Sequence, residues 1–331
     1  GIFVLTEWGG FVHHFLSVQT DKGDSSAPPF HFEADRLYGT PKEKRLDLQV
    51  LLPSGFVSSA VKLFMKNKLI VSGGAGSCGL QVISLQTMRT LESKYRHMGI
   101  ITSVDISKSG KYIVSGSCDT TVCLWELDEN QVHTASRKAP VRKIKTLTGH
   151  DDEVLSVSIS ENDSLILSTS LDGTAILSRF PTGRYIRTLA HFSPVVFGLI
   201  CGRHGLVVTY CDNGRLFLHG FNGDQVAVTH LEGRMRCMTL SKNQDYVLLG
   251  SEEGKIYVID ALTGEEVAVM DVGNDMKRKG GITTIYAYQD KFLILGDRNG
   301  QVSLVLFDSL LWDRKKRAIL SRQQRLASHF Q

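Results

Sequence analysis

His97, Ser115 and Asp119, with Trp125 close behind, are the side chains of this 331-residue chain whose types and spacing could act together chemically. The His precedes a run of alternating apolar residues, Ile101 to Ile106. The Ser lies in a second β-rich run, Tyr112 to Ser117, the Asp in the tight turn after it, and the Trp near the end of a third run, Thr121 to Leu127. An Asp can accept the His N–H, the His can reach a Ser hydroxyl, and that hydroxyl can meet the indole N–H. A chain of this kind satisfies buried polar groups end to end and fixes a loop; it catalyses nothing. His150, Ser168 and Asp172 repeat the arrangement, but Ser178 stands where the Trp belongs, so the second network is incomplete.

Other candidate chemistry is weaker. Gly74, Gly76 and Gly79 form a GxGxxG after the apolar run Leu69 to Ser72, the spacing of a dinucleotide cradle. The next residues, Leu80 to Leu85, alternate with period two and open no amphipathic helix, so the glycines read as an inter-strand turn. Cys118 and Cys123 flank a hairpin turn with no His pair nearby, and none of the six cysteines forms a CxxC, which points to reduced thiols rather than zinc. Asp151-Asp152 and Glu252-Glu253 fall in turns, where solvated acids are the default. No metal and no cofactor is expected.

The elements around these residues are β-strands. Seven prolines against 31 glycines fit an all-β chain with many tight turns, and 42% hydrophobic residues exclude disorder throughout. Asp172-Gly173, Asn213-Gly214, Glu253-Gly254 and Asn299-Gly300 each separate two apolar alternating runs, as hairpin turns taking positive φ. The steps between them are 41, 40 and 46 residues. No apolar run approaches the roughly 18 residues of a transmembrane helix, and the N-terminus lacks the basic region of a signal peptide.

The His97, Ser115, Asp119 and Trp125 unit resembles the WD-repeat family, in which each repeat of roughly 40 to 45 residues is a four-stranded blade of a β-propeller. Glu126 stands where that family usually has Asp. The resemblance implies an all-β, seven-bladed propeller of four-stranded antiparallel blades over residues 1–308. The first blade is incomplete: Ile2 to Thr6 and Phe11 to Val18 are its second and third strands, Leu46 to Leu52 an outer strand, and its inner strand is expected upstream of Gly1. Tyr112 to Ser117, Leu147 to Val154 and the long loop between them resemble the C-terminal WD-repeat domain of BEACH-domain proteins, the neurobeachin and lysosomal-trafficking-regulator group. That likeness implies a non-catalytic scaffold of a large cytoplasmic protein in membrane trafficking, its propeller recruiting protein or peptide partners at vesicle or lysosome surfaces.

Two alternatives are weighed against the scaffold. A propeller reading ubiquitin, phosphopeptides or histone tails would use cations such as Arg234 and Arg236, beside a strand entrance. A propeller hydrolase would need acids on the innermost strands, where only Asp105 occurs. Residues 309–331 form a basic tail, a short helix or a frayed end. Its net charge of +5 leaves −1 for the rest of the chain, which argues against nucleic acid as a ligand. Arg314, Lys315, Lys316 and Arg317, with Trp312, Ile319, Leu326 and Phe330 on one side, could give weak peripheral contact with an anionic membrane.

Overall fold

The computed structural model describes residues 2–5, 11–14, 60–64, 69–73, 78–84, 89–128, 141–272, 281–288, 292–297 and 302–306. Every sheet among them is antiparallel and is built from strands consecutive in sequence. The alternating runs and the short glycine turns that join them account for this. The architecture is an all-β propeller, and its described residues divide along the chain into two compact units, one up to Glu232 and one from Gly233.

The first unit contains a hairpin, β1 (Ile2–Leu5) and β2 (Phe11–His14), and four complete blades. The first blade is β3 (Val61–Phe64), β4 (Leu69–Gly73), β5 (Gly79–Ser84) and β6 (Arg89–Tyr95). The second is β7 (Ile101–Ile106), β8 (Tyr112–Ser117), β9 (Val122–Leu127) and β10 (Val141–Leu147). The third is β11 (Val154–Ser160), β12 (Leu165–Ser170), β13 (Thr174–Arg179) and β14 (Arg184–Ala190). The fourth is β15 (Val195–Cys201), β16 (Leu206–Cys211), β17 (Arg215–Gly220) and β18 (Gln225–His230). The second unit contains a four-stranded blade, β19 (Met235–Leu240) to β20 (Tyr246–Ser251), β21 (Lys255–Asp260) and β22 (Glu266–Asp271). It also holds a three-stranded one, β23 (Ile282–Tyr288), β24 (Phe292–Asp297) and β25 (Val302–Leu306).

Six blades of three or four strands are therefore present among the described residues, not seven. The expected N-terminal blade is a two-stranded ribbon: β1 and β2 pair with each other in register Ile2↔His14 to Leu5↔Phe11 and with no other described strand. Alternation and a glycine turn suffice to predict a hairpin; a blade also needs further strands to hydrogen-bond to it. The outer strand expected over 46–52, the turn at Asn299-Gly300 and the whole tail, including Arg314, Lys315, Lys316 and Arg317, lie outside the described residues.

Packing between blades explains the sequence pattern. All six residues of β12, β16 and β20 are buried, and so are all five of β4. Within the first unit, Ile101 and Trp125 share one apolar cluster with Leu69, Val71 and Val82 of the preceding blade, while Val114 and Leu124 pack with Val154 and Val157 of the following one. Strands covered on both faces lose the polar face of simple alternation. The approach is close enough that a Cβ on Gly116 would sit 2.6 Å from a Val154 methyl and 2.9 Å from one of Val157.

Each first strand is a sheet edge, which leaves a row of N–H groups without ladder partners. Side chains of the preceding blade cap them: Val157 N–H donates to Ser103 Oγ at 3.1 Å and Ile159 N–H to Asp105 Oδ2 at 2.9 Å. Thr102 Oγ1 donates to the carbonyl of Val154.

The turns depart from the expected form in one respect. Gly173, Gly214 and Gly254 take positive φ (78°, 81° and 86°), but Asp172, Asn213 and Glu253 before them do not. Each glycine N–H bonds the carbonyl three residues back, to Ser170, Cys211 and Ser251. Only the last turn residue is left-handed, so one glycine per turn suffices. Thr120 holds that place in the second blade, with φ 70°.

Candidate functional site

The turn between β8 and β9 and the segment entering β7 bring His97, Ser115, Asp119 and Trp125 together. His97 Nε2 lies 2.8 Å from Ser115 Oγ, and Trp125 Nε1–H donates to the same oxygen at 2.8 Å. His97 Nδ1 lies 3.1 Å from Asp119 Oδ2. Because the carboxylate can only accept, Nδ1 carries the proton, Nε2 accepts from the Ser hydroxyl, and that hydroxyl accepts from the indole. Burial pushes the His97 imidazole below its ordinary value, against the opposing pull of Asp119, in keeping with this neutral tautomer.

Asp119 collects more donors than spacing alone suggests. It accepts the Met98 N–H at 2.6 Å, the Thr121 N–H at 2.9 Å and the Thr121 hydroxyl at 2.6 Å. Burial alone would raise its carboxyl, yet these hydrogen bonds hold it below the ordinary carboxylate value. The third blade repeats the geometry. His150 Nε2 is 2.8 Å from Ser168 Oγ and its Nδ1 3.0 Å from Asp172 Oδ2, while Asp172 accepts from Asp151 N–H and from Thr174 N–H and Oγ1. Thr121 and Thr174 were missed by sequence reasoning, and their signal is a Thr two residues after each Asp.

A third, altered copy was also missed. His191, Thr209, Asn213 and His219 recur at the same steps of 18, 4 and 6 residues that separate His97, Ser115, Asp119 and Trp125. His191 Nε2 lies 3.3 Å from Thr209 Oγ1, but the Asp place is taken by Asn213, whose Oδ1 accepts from Arg215 N–H. His219 fills the Trp position, its ring centroid 5.4 Å from that of His191, and its buried Nδ1 has no hydrogen-bond partner among the described residues. Burial, and then the charge of His219, takes His191 down to about 4.

Connectivity of Ser to His to Asp is also that of a hydrolytic triad. The environment is not. Ser115 and Trp125 have no exposed surface, and Ser115 Oγ already accepts from the indole N–H, so no substrate carbonyl reaches it. Asp105, the inner-strand acid that a carboxylate hydrolase would need, accepts from Ile159 N–H and lies 3.5 Å from Lys62 Nζ, so it joins three blades. The cysteines are free thiols, and burial pushes Cys118 up to about 11 and Cys211 and Cys237 to about 12, far from a reactive thiolate. Glycine-rich residues 73–79 join β4 to the antiparallel β5, not to a helix, although Gly74 and Gly76 themselves are outside the described residues. Among the described residues no three His, Cys, Asp or Glu side chains gather into a metal site. Arg236 is exposed but already holds Glu252, Nη2 to Oε1 2.7 Å, and Arg234 lends its carbonyl to the Glu252 N–H.

The networks make stability depend on pH. His97, His191 and His219 have folded values below those of the unfolded chain, as do Asp119 and Asp172. The unfolded state therefore binds more protons as pH falls, and stability present above about pH 6.5 is lost below it, first through the histidines and later through the carboxylates. The unfolding temperature is expected to fall between pH 7.5 and pH 5 in differential scanning fluorimetry, and less steeply in His191→Phe. A flat profile over that interval would contradict the assignment of neutral, buried histidines.

The comparisons with known proteins agree with this architecture. The chain is similar to BEACH domain-containing protein B of Arabidopsis thaliana, 28% identical over 260 residues, which cover 73% of this chain and 10% of that protein. It is similar to BEACH domain-containing protein lvsE of Dictyostelium discoideum, 24% over 290 residues, 85% of this chain and 13% of that protein. A putative neurobeachin homolog of Caenorhabditis elegans is 21% identical over 233 residues, 68% of this chain and 9% of that protein. The chain thus spans about a tenth of the length of these relatives. A family model described as the neurobeachin beta propeller domain matches residues 54–316, which take in all six blades, and the chain belongs to that family of WD-repeat β-propellers.

Proposed function

We propose that this propeller is a non-catalytic interaction scaffold of a BEACH-type membrane-trafficking protein, recruiting protein partners in the cytoplasm at vesicle or lysosome surfaces. One observation carries the reading: the Ser, His and Asp side chains that could do chemistry are saturated by one another, and the Ser and His are closed off from solvent, with His97 5% and Ser115 0% exposed. What such a network does is hold the loops entering β7 and β11 in place, and loops held on a rigid frame are suited to binding. The similarity to proteins named as BEACH domain-containing supports the reading. A reader of ubiquitin, phosphopeptides or histone tails at Arg234 and Arg236 is less well supported, since Glu252 already occupies Arg236.

Proximity labelling in cells tests the proposal. The chain joined to a labelling enzyme is expected to enrich a reproducible set of vesicle-associated proteins over an unrelated propeller. Labelling indistinguishable from that control would overturn the scaffold reading.

A further inference from the structure

We infer that the loops entering β7, β11 and β15 of the first unit form one docking surface for a basic protein segment, one that presents Lys or Arg between apolar side chains. This inference rests on the scaffold reading and says where recruitment takes place. The surface is built by the networks. Met98 N–H and Asp151 N–H are tied to Asp119 and Asp172, so the residue after each His is turned outward at a fixed place. Cys118 N–H bonds Ile100 O, Leu171 N–H bonds Glu153 O, and Asp212 N–H bonds Pro194 O, so each entering loop is sewn to the neighbouring hairpin turn.

Successive loops are contiguous. The Glu153 carboxylate of the next blade lies near enough to the Cys118 thiol to help raise it, after burial. A Cβ on Gly173, in the turn after Leu171, would lie 3.0 Å from His191 O and 3.4 Å from Ser193 O, which bracket Phe192.

This surface is apolar and acidic together. Met98 is 95% exposed and Phe192 fully so, with Ile100 at 46% and Leu171 at 42%. Four large apolar side chains on neighbouring loops exceed the single scattered residues that need no explanation. Asp151 and Asp152, both exposed, stand on the loop between the Met98 and Phe192 loops in chain order, with exposed cations to either side of them, Arg96 before the first loop and Arg215 after the third. Acids set among apolar anchors complement a cationic segment and repel anionic lipid and nucleic acid, which selects a protein occupant.

The test uses a labelled synthetic peptide alternating Arg with Leu and Phe, and a counterpart with Glu for Arg, read by fluorescence anisotropy. The basic peptide is expected to bind, more weakly as salt rises, and the acidic one not. Asp151→Lys and Phe192→Ala should each weaken binding roughly tenfold or more. Both side chains are exposed, so both variants are expected to keep the wild-type unfolding temperature. No binding, equal binding of the two peptides, affinity unchanged in both variants, or binding of anionic vesicles in place of the peptide would each overturn the inference. Repeating the proximity labelling with Asp151→Lys separates the two proposals. An unchanged neighbour set moves recruitment elsewhere and overturns this surface alone, whereas loss of specific labelling in the wild type overturns the scaffold reading.

Discussion

Trp125→Ala is expected to destabilise the propeller by about 3 to 5 kcal/mol, the cost of truncating a large, fully buried aromatic. The indole belongs to one buried cluster with Leu127 and Val141 of its own blade and Leu69, Val71 and Val82 of the preceding one, so truncation opens a cavity in packing shared by two sheets. Neither sheet can close it without shifting the other. Ser115 also loses a donor. Trp125→Phe keeps most of the volume and removes that hydrogen bond, so it should cost clearly less than Trp125→Ala. Urea unfolding followed by circular dichroism measures both. Equal losses would mean that packing between the blades is not what the indole supplies.

Asp119→Ala is expected to cost roughly 1 to 3 kcal/mol, because it strips the acceptor from four donors at once, three of them buried or half-buried. Those are the Met98 N–H, the Thr121 N–H and hydroxyl, and the His97 Nδ1–H. Asp119 is 12% exposed, so water reaches some of the freed donors and keeps the loss near that range. The distinctive effect is local. Hydrogen exchange at Met98 and Thr121 should rise far more than at Val114 in the centre of the same blade. A variant that melts like the wild type and exchanges like it would show that the network holds nothing.

Much of the fold was legible in the sequence for definite reasons. β7 and β8 begin and end where the runs Ile101 to Ile106 and Tyr112 to Ser117 do, because β-rich patterning and the turns around it fix both the strand and its ends. His97, Ser115, Asp119 and Trp125 could be grouped because only side chains that complete one another's hydrogen bonds are tolerated together in a core. The altered copy escaped notice since Thr209, Asn213 and His219 each replace the expected type while keeping the step. In the fifth blade the corresponding steps fall on Leu231, Leu249, Glu253 and Ile259: the His, Ser and Trp places are apolar and need no network, and Glu253 pairs with Lys255.

Contacts between sheets were the least legible part. Ser103 and Asp105 cap N–H groups 54 residues away, and nothing in local alternation announces that pairing. The blade count failed for a related reason: the pattern of β1 and β2 describes a hairpin and is silent about whether other strands join it. The docking surface, too, depends on which loops become neighbours. Met98, Asp151 and Phe192 are simply the residues after three histidines until the turns are sewn together.

The claim that the Ser, His and Asp network is structural meets its most direct test in a fluorophosphonate, which phosphonylates an activated serine and little else. Mass spectrometry of the treated folded protein should find Ser115 and Ser168 unmodified at times when a known serine hydrolase in the same tube is fully labelled. Stoichiometric labelling of Ser115 or Ser168 in the native protein, abolished by heat and by His97→Ala or His150→Ala respectively, would contradict the account.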